Sequence, residues 1–230
     1  MLNITGIAGN TQLVTVPYKD LAIVISPVLK IPVFNKENAF AHERVIRELM
    51  QKYTTLPVSF GTIATSIQEL KEYLIVNYPQ LKMLLAKVIG KIEVGLKVFW
   101  NKEKFAQELE EGRGDVLNLK NIINNKDTKE SYQLVLKLGQ LLEAIAEEKR
   151  EIYKEQIFEP LASFSSDAVL NDLIGERMVF NASFLIEKTK EKEFDKKVNE
   201  IYEPFRQILD FKYTGPWPPY NFTKTVFHKK

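Results

Sequence analysis

Three prolines within four positions, Pro216, Pro218 and Pro219, constrain this chain more than any other stretch. Each ring holds φ near −65° and removes a backbone donor, so Gly215 to Phe222 can be neither helix nor central strand. It must run as a stiff, extended, polyproline-like segment. Trp217, Tyr220 and Phe222 then project from a backbone with little entropy left to lose. Such a segment either clamps the protein's own core or offers a surface to a partner. The clamp is the favoured reading, because an open aromatic patch of that size invites aggregation.

Upstream, the hydrophobic pattern predicts an N-terminal α+β domain over 1–89. Leu13 to Tyr18 alternates as a strand, and Leu21 to Ile25 is continuously apolar, as expected of a strand covered on both faces. Pro27 and Pro32 then interrupt regular structure. Glu37 to Tyr53 reads as a helix with His42, Val45, Ile46, Leu49 and Tyr53 on one face. Leu56 to Ile63 reads as a further strand. Ser66 and Glu69 form a capping box that opens the next helix, which Pro79 must kink or split.

A second domain is predicted over 90–214. Ile92, Val94, Leu96, Val98 and Trp100 alternate without fault against Glu93, Gly95, Lys97 and Phe99, the clearest strand in the chain. Glu93 and Lys97 share a face there and read as solvated charges. A helical insertion follows over 102–175. It contains a charged helix at Lys102 to Glu111, short helical pieces between Gly112 and Asp127, and a long helix from Ser131 to Phe158 that ends before Pro160. Leu134, Leu138, Leu141, Leu142 and Ile145 give that long helix a partly heptad stripe, which predicts an intramolecular antiparallel helix pair. Ser166 to Ile174 reads as a short helix, Phe180 to Ile186 as a strand, Lys190 to Phe205 as a charged surface helix, and Leu209 to Tyr213 as a last strand. This order predicts an antiparallel, ferredoxin-like α+β sheet with added helices, and residues 215–230 as a tail packing across the two domains.

Composition bounds the function. Acids and bases nearly balance at a net charge of +2, which gives no electrostatic case for nucleic acid. There is no cysteine, which excludes disulfides and thiolate metal sites and fits a reducing cytoplasm. No apolar run approaches the length that crosses a bilayer, so no membrane partner is expected, and the chain reads as soluble and intracellular. Of the two histidines, His228 lies in the terminal tail. His42 is followed by Ile46 where a zinc protease motif would place its second histidine. The residues predict no catalytic site, no cofactor and no metal, although an enzyme acting through His42 with Glu43 or Arg44 stands as the rival class.

Four stretches and one histidine carry a resemblance. Leu56 to Thr62 (LPVSFGT), Gly90 to Val98 (GKIEVGLKV), Asn181 to Ile186 (NASFLI) and the terminal Gly215 to Phe222 (GPWPPYNF) resemble segments of the gas vesicle protein GvpL/GvpF family, and His42 stands where that family's first long helix carries a histidine. The chain is identified as a member, closer to GvpF than to GvpL. Members begin with an aromatic-rich strand, and this chain is read as starting beyond it, near Gly6. The resemblance implies a non-enzymatic role as an accessory or minor structural component of gas vesicle formation. It implies a place at the gas vesicle or in the cytoplasm, contact with the hydrophobic shell protein and with other gas vesicle accessory proteins, and a two-domain α+β architecture. The candidate contacts are Trp217, Tyr220 and Phe222 in the tail, and Leu134, Leu138, Leu141 and Ile145 on the long helix. The alternative is a generic peptide-binding module that uses the aromatic tail.

Overall fold

The computed structural model describes residues 5–7, 11–111, 113–125 and 128–223. The expected absence of a first strand falls largely on residues outside that set. The chain is α+β and divides into two compact units, Met1–Glu93 with Pro216–Lys230, and Val94–Gly215. The divisions fall inside two strands rather than in a linker.

The first unit opens with a two-stranded antiparallel hairpin, β1 (Val14–Tyr18) and β2 (Leu21–Ile25). Only Val16 is buried in it, so β2 is not covered on both faces as its apolar run suggested. A sheet of two strands has too few layers around it to enclose both sides. The turn is held from outside: Tyr78 donates its hydroxyl proton to Asp20 at 2.7 Å, Lys82 also pairs with Asp20, and the Lys19 ammonium lies 4.4 Å from the centre of the Tyr78 ring. Lys82 and Tyr78 together pull the Asp20 carboxyl down to about 2.

Helix α1 (Lys36–Met50) starts where the Asn35 side chain accepts from the Asn38 amide, and buries Val45, Ile46 and Leu49. Tyr53 lies past its end and is exposed. Helix α2 (Ile67–Val88) begins at the predicted cap, with Ser66 accepting from Glu69 N at 3.1 Å and Glu69 reaching back to Thr65 N at 2.6 Å. It runs unbroken through Pro79, so the expected split does not occur.

The strand expected at Leu56 to Ile63 does not form. Pro57 has no donor, and Thr62 spends both its amide and its hydroxyl on the Ser59 carbonyl, folding the segment into a turn instead of a ladder. Gly61 completes that turn at φ +91°, and a Cβ there would sit 2.5 Å from the Phe34 ring.

The second unit is built on a four-stranded sheet of β3 (Lys91–Trp100), β4 (Asp167–Asn171), β5 (Met178–Glu187) and β6 (Leu209–Trp217), in the order β4-β5-β3-β6. Between β3 and β4 lie α3 (Phe105–Glu110), α4 (Gly114–Asn124), α5 (Thr128–Tyr153) and α6 (Glu159–Ser163), and α7 (Glu191–Tyr202) joins β5 to β6. Phe158, Phe184, Phe194 and Tyr213 form a chain of ring contacts that ties the helices to the sheet. β5 is buried on both faces, with Phe180, Ala182, Phe184 and Ile186 on one and Val179, Ser183 and Leu185 on the other.

Two expectations fail here. Pro160 does not end the long helix: a π turn at Lys154–Phe158 shifts the bonding to five residues, with Glu159 N donating to Lys154 O, and Pro160 then sits in the first turn of α6, where no donor is needed. Ser166 to Ile174 is not a helix but contains β4, paired antiparallel to β5 from Asp167↔Leu185 to Asn171↔Asn181. Nine residues are too few for a self-sustaining helix, whereas the open edge of β5 supplies ladder partners for each of the five in β4.

Candidate partner-binding surfaces

The tail departs from β6 at an edge of the sheet, where Pro216 costs no ladder bond to a further strand. Pro218 and Pro219 are buried, and Tyr220–Phe222 closes into a single 3-10 turn, with Phe222 N donating to Pro219 O and the Thr223 hydroxyl donating to the same carbonyl. Asn221 donates its main-chain N–H and its side-chain amide to the two carboxylate oxygens of Glu93, at 2.9 and 2.6 Å. Glu93 is only 5% exposed, so it is not the solvated charge its strand position suggested. It is the acceptor that holds the tail. The alternation of β3 points Glu93 away from Ile92 and Val94, so no local signal marked it as buried.

Phe222 is 4% exposed beneath the Lys87 ammonium, 5.5 Å from its ring centre. Tyr220 is half-buried, and burial, with the charges of Glu43 and Glu93 nearby, pushes its phenol up to about 12. Trp217 behaves differently. It remains 42% exposed, so in the segment read as a clamp it is not the buried part: the anchors are Phe222 and the two prolines before it.

His42 lies half-buried on α1, with its Nε2–H donating to the Val58 carbonyl at 2.7 Å and its ring 5.7 Å from that of Phe60. Phe34 packs against Phe60 in turn, with the ring centres 5.2 Å apart and the planes tilted by 56°. The imidazole thus pins the Ser59–Thr62 turn to the helix. Glu43 is occupied by an ion pair with Arg47. Among the described residues no group of three His, Asp or Glu side chains could hold a metal ion, and no helix is long and apolar enough to cross a membrane.

The stretch before α1, where Pro27 and Pro32 interrupt regular structure, is more than a break. It presents Leu29, Ile31, Val33 and Phe34 to solvent, with Phe40 exposed on the helix that follows. Leu29, Ile31 and Val33 stand at alternate positions of a stretch that bends at Leu29 and Lys30 and has no regular secondary structure.

On α5, which packs against α4, Ile145 is buried and Leu134, Leu138 and Leu141 are half-buried. Val116 of α4 is fully buried, and Arg113 pairs with Glu148. The tail trio and the α5 leucines therefore belong to different compact units.

Comparison with known proteins gives a consistent answer. The sequence profile of the family described as "Gas vesicle synthesis protein GvpL/GvpF" matches residues 2–224. Gas vesicle protein F1 of Halobacterium salinarum is 29% identical over 225 residues, 96% of this chain and 85% of that protein. Gas vesicle protein F of Dolichospermum flosaquae is 29% identical over 193 residues, covering 83% and 78%. Gas vesicle protein L1 of Halobacterium salinarum matches at 19% over 197 residues, 80% of this chain and 69% of that one, so the F-type likeness is the stronger. In fold, the chain is similar to the crystal structure of the gas vesicle protein GvpF from Anabaena, with a TM-score of 0.83, 23% identity and coverage of 97% and 92%. It is also similar to that of GvpF from Microcystis aeruginosa, with a TM-score of 0.76, 22% identity and coverage of 96% and 92%. The chain belongs to the GvpL/GvpF family of gas vesicle synthesis proteins.

Proposed function

We propose that this chain is an accessory or minor structural protein of gas vesicle formation, and that it binds the hydrophobic shell subunit during assembly. A gas-lined wall needs a subunit with a strongly apolar face, and such a face self-associates unless a partner covers it first. The observation that carries the reading is the exposed run Leu29, Ile31, Val33 and Phe34, with Phe40 beside it in sequence. Large apolar side chains held in water over consecutive alternate positions are the surface such a guest would meet. Trp217 is accessible and could add to it. Leu134, Leu138 and Leu141 are half-buried and Ile145 is buried, so they are less accessible to a guest than the exposed run.

The strand order of the second unit fits a ferredoxin-like arrangement in which α3 to α6 form the insertion. The alternative reading, a peptide-binding module built on the aromatic tail, has Trp217 in its favour and the burial of Phe222 against it. An enzyme working through His42 is disfavoured, because its Nε2 proton is committed to a main-chain carbonyl.

The test is co-expression with the shell protein, read as shell solubility and co-purification at low and high salt. Leu29→Glu with Ile31→Glu should abolish co-purification without lowering the melting temperature. If the shell protein is no more soluble with the chain than without it, the reading fails.

A further inference from the structure

Helix α5 carries two apolar stripes, and among the described residues only one of them is packed. Leu134, Leu138, Leu141, Leu142 and Ile145 turn toward the packed side. Tyr132, Val135 and Leu136, spaced i, i+3, i+4, lie roughly 140° further round the helix at 100° per residue. They are 67%, 50% and 52% exposed. At i+7, Gly139 has open space where a Cβ would stand, so another backbone could approach there. Further along the same side, Ala146 is buried, and Arg150 donates to the carbonyls of Met178 and Glu176 and lies 5.1 Å from the Trp100 ring. The uncovered face is therefore confined to the first turns of α5.

Its C-terminal boundary begins with an acidic side chain. Glu143 is exposed directly beyond Gly139 on the stripe, while Glu147 one turn on pairs with Arg150 at 2.9 Å. Lys137, the single basic residue between Tyr132 and Glu143, points roughly 140° away from the stripe. Three apolar side chains at helical spacing, a gap at the glycine and an acidic end match the ridge and groove of one further helix.

We propose that this outward face of α5 docks an amphipathic helix of a partner protein, its apolar side chains over Tyr132, Val135 and Leu136 and a basic side chain opposite Glu143. The surface is separate from the Leu29–Phe34 run, and the proposal stands or falls independently of shell binding. Apolar contact supplies the affinity, and the acidic end selects the partner by its charge.

The test uses the full chain and two fluorescein-labelled helical peptides of roughly 20 residues, with leucine at i, i+3, i+4 and i+7 and either lysine or glutamate one turn beyond. Fluorescence anisotropy should show the lysine peptide binding at least about tenfold more tightly than the glutamate peptide. Val135→Glu should weaken the lysine peptide by about tenfold or more, and Glu143→Lys should reverse the preference between the two. Both positions are exposed, so melting followed by circular dichroism should match the parent for each variant. Shell co-purification by Val135→Glu, measured in parallel, should be unchanged. Equal affinity for the two peptides, no binding of either, or full binding by Val135→Glu would overturn the proposal.

Discussion

Asn221 closes both of its amide donors onto the buried carboxylate of Glu93, 128 positions earlier in the chain. Hydrogen bonds to a charged acceptor contribute about 1.5–3 kcal/mol, and a buried carboxylate stripped of its donors is costly. Glu93→Gln and Asn221→Ala should each destabilise the chain by about 2 kcal/mol in urea unfolding. The double variant should cost clearly less than the sum, because both changes break the same contact. Additive losses would show that the two residues act separately.

Within the tail, the order of importance should follow burial rather than ring size. Phe222→Ala removes a fully packed ring and should cost about 3–5 kcal/mol. Trp217→Ala removes a ring that is 42% exposed and should cost about 1–2 kcal/mol. Chemical denaturation of the two variants side by side decides it, and a larger loss at Trp217 would contradict the structure.

The His42 ring is a strut, since its Nε2–H satisfies the Val58 carbonyl. His42→Gln should lower stability by about 1 kcal/mol, the value of one ordinary hydrogen bond. Vesicle formation should fall only as far as folding does. A variant with the parent melting temperature but no vesicles would assign His42 a direct function.

Tyr220 should report the closed tail by its ionisation. Its folded pKa is raised to about 12, above the usual value near 10, so the fold favours the neutral phenol. The stability linked to this is fully present below pH 10 and is lost as pH rises toward 12. Difference absorbance of the parent against Tyr220→Phe should show no phenolate from this residue at pH 10.5, and Asn221→Ala should bring its titration back toward 10.

The Asp20 turn titrates at the opposite end. Lys82 and Tyr78 depress the carboxyl to about 2, so the contact persists above pH 4 and is lost as pH falls through 2. A carboxyl carbon titration by NMR should place the Asp20 midpoint near 2 at low salt, moving up as salt screens the exposed pair. A midpoint near 4 at low salt would mean the turn is not held.

The sequence by itself determined those elements whose hydrophobic period is long and whose ends carry local chemistry. The Ser66 cap, the α1 stripe of Val45, Ile46 and Leu49, the alternation of β3, and the family signature could all be read without a structure, because each depends on residues a few positions apart. Tertiary structure decided the rest. Asp167–Asn171 became a strand because β5 offered an edge, Leu56–Ile63 lost its strand to a turn pinned by His42, and the helix passed Pro160 by widening one turn. Above all, burial is a property of what lies across from a residue. Glu93 reads as a surface charge until Asn221 is placed against it, and Trp217 reads as an anchor until Phe222, five residues on, is found occupying the buried position.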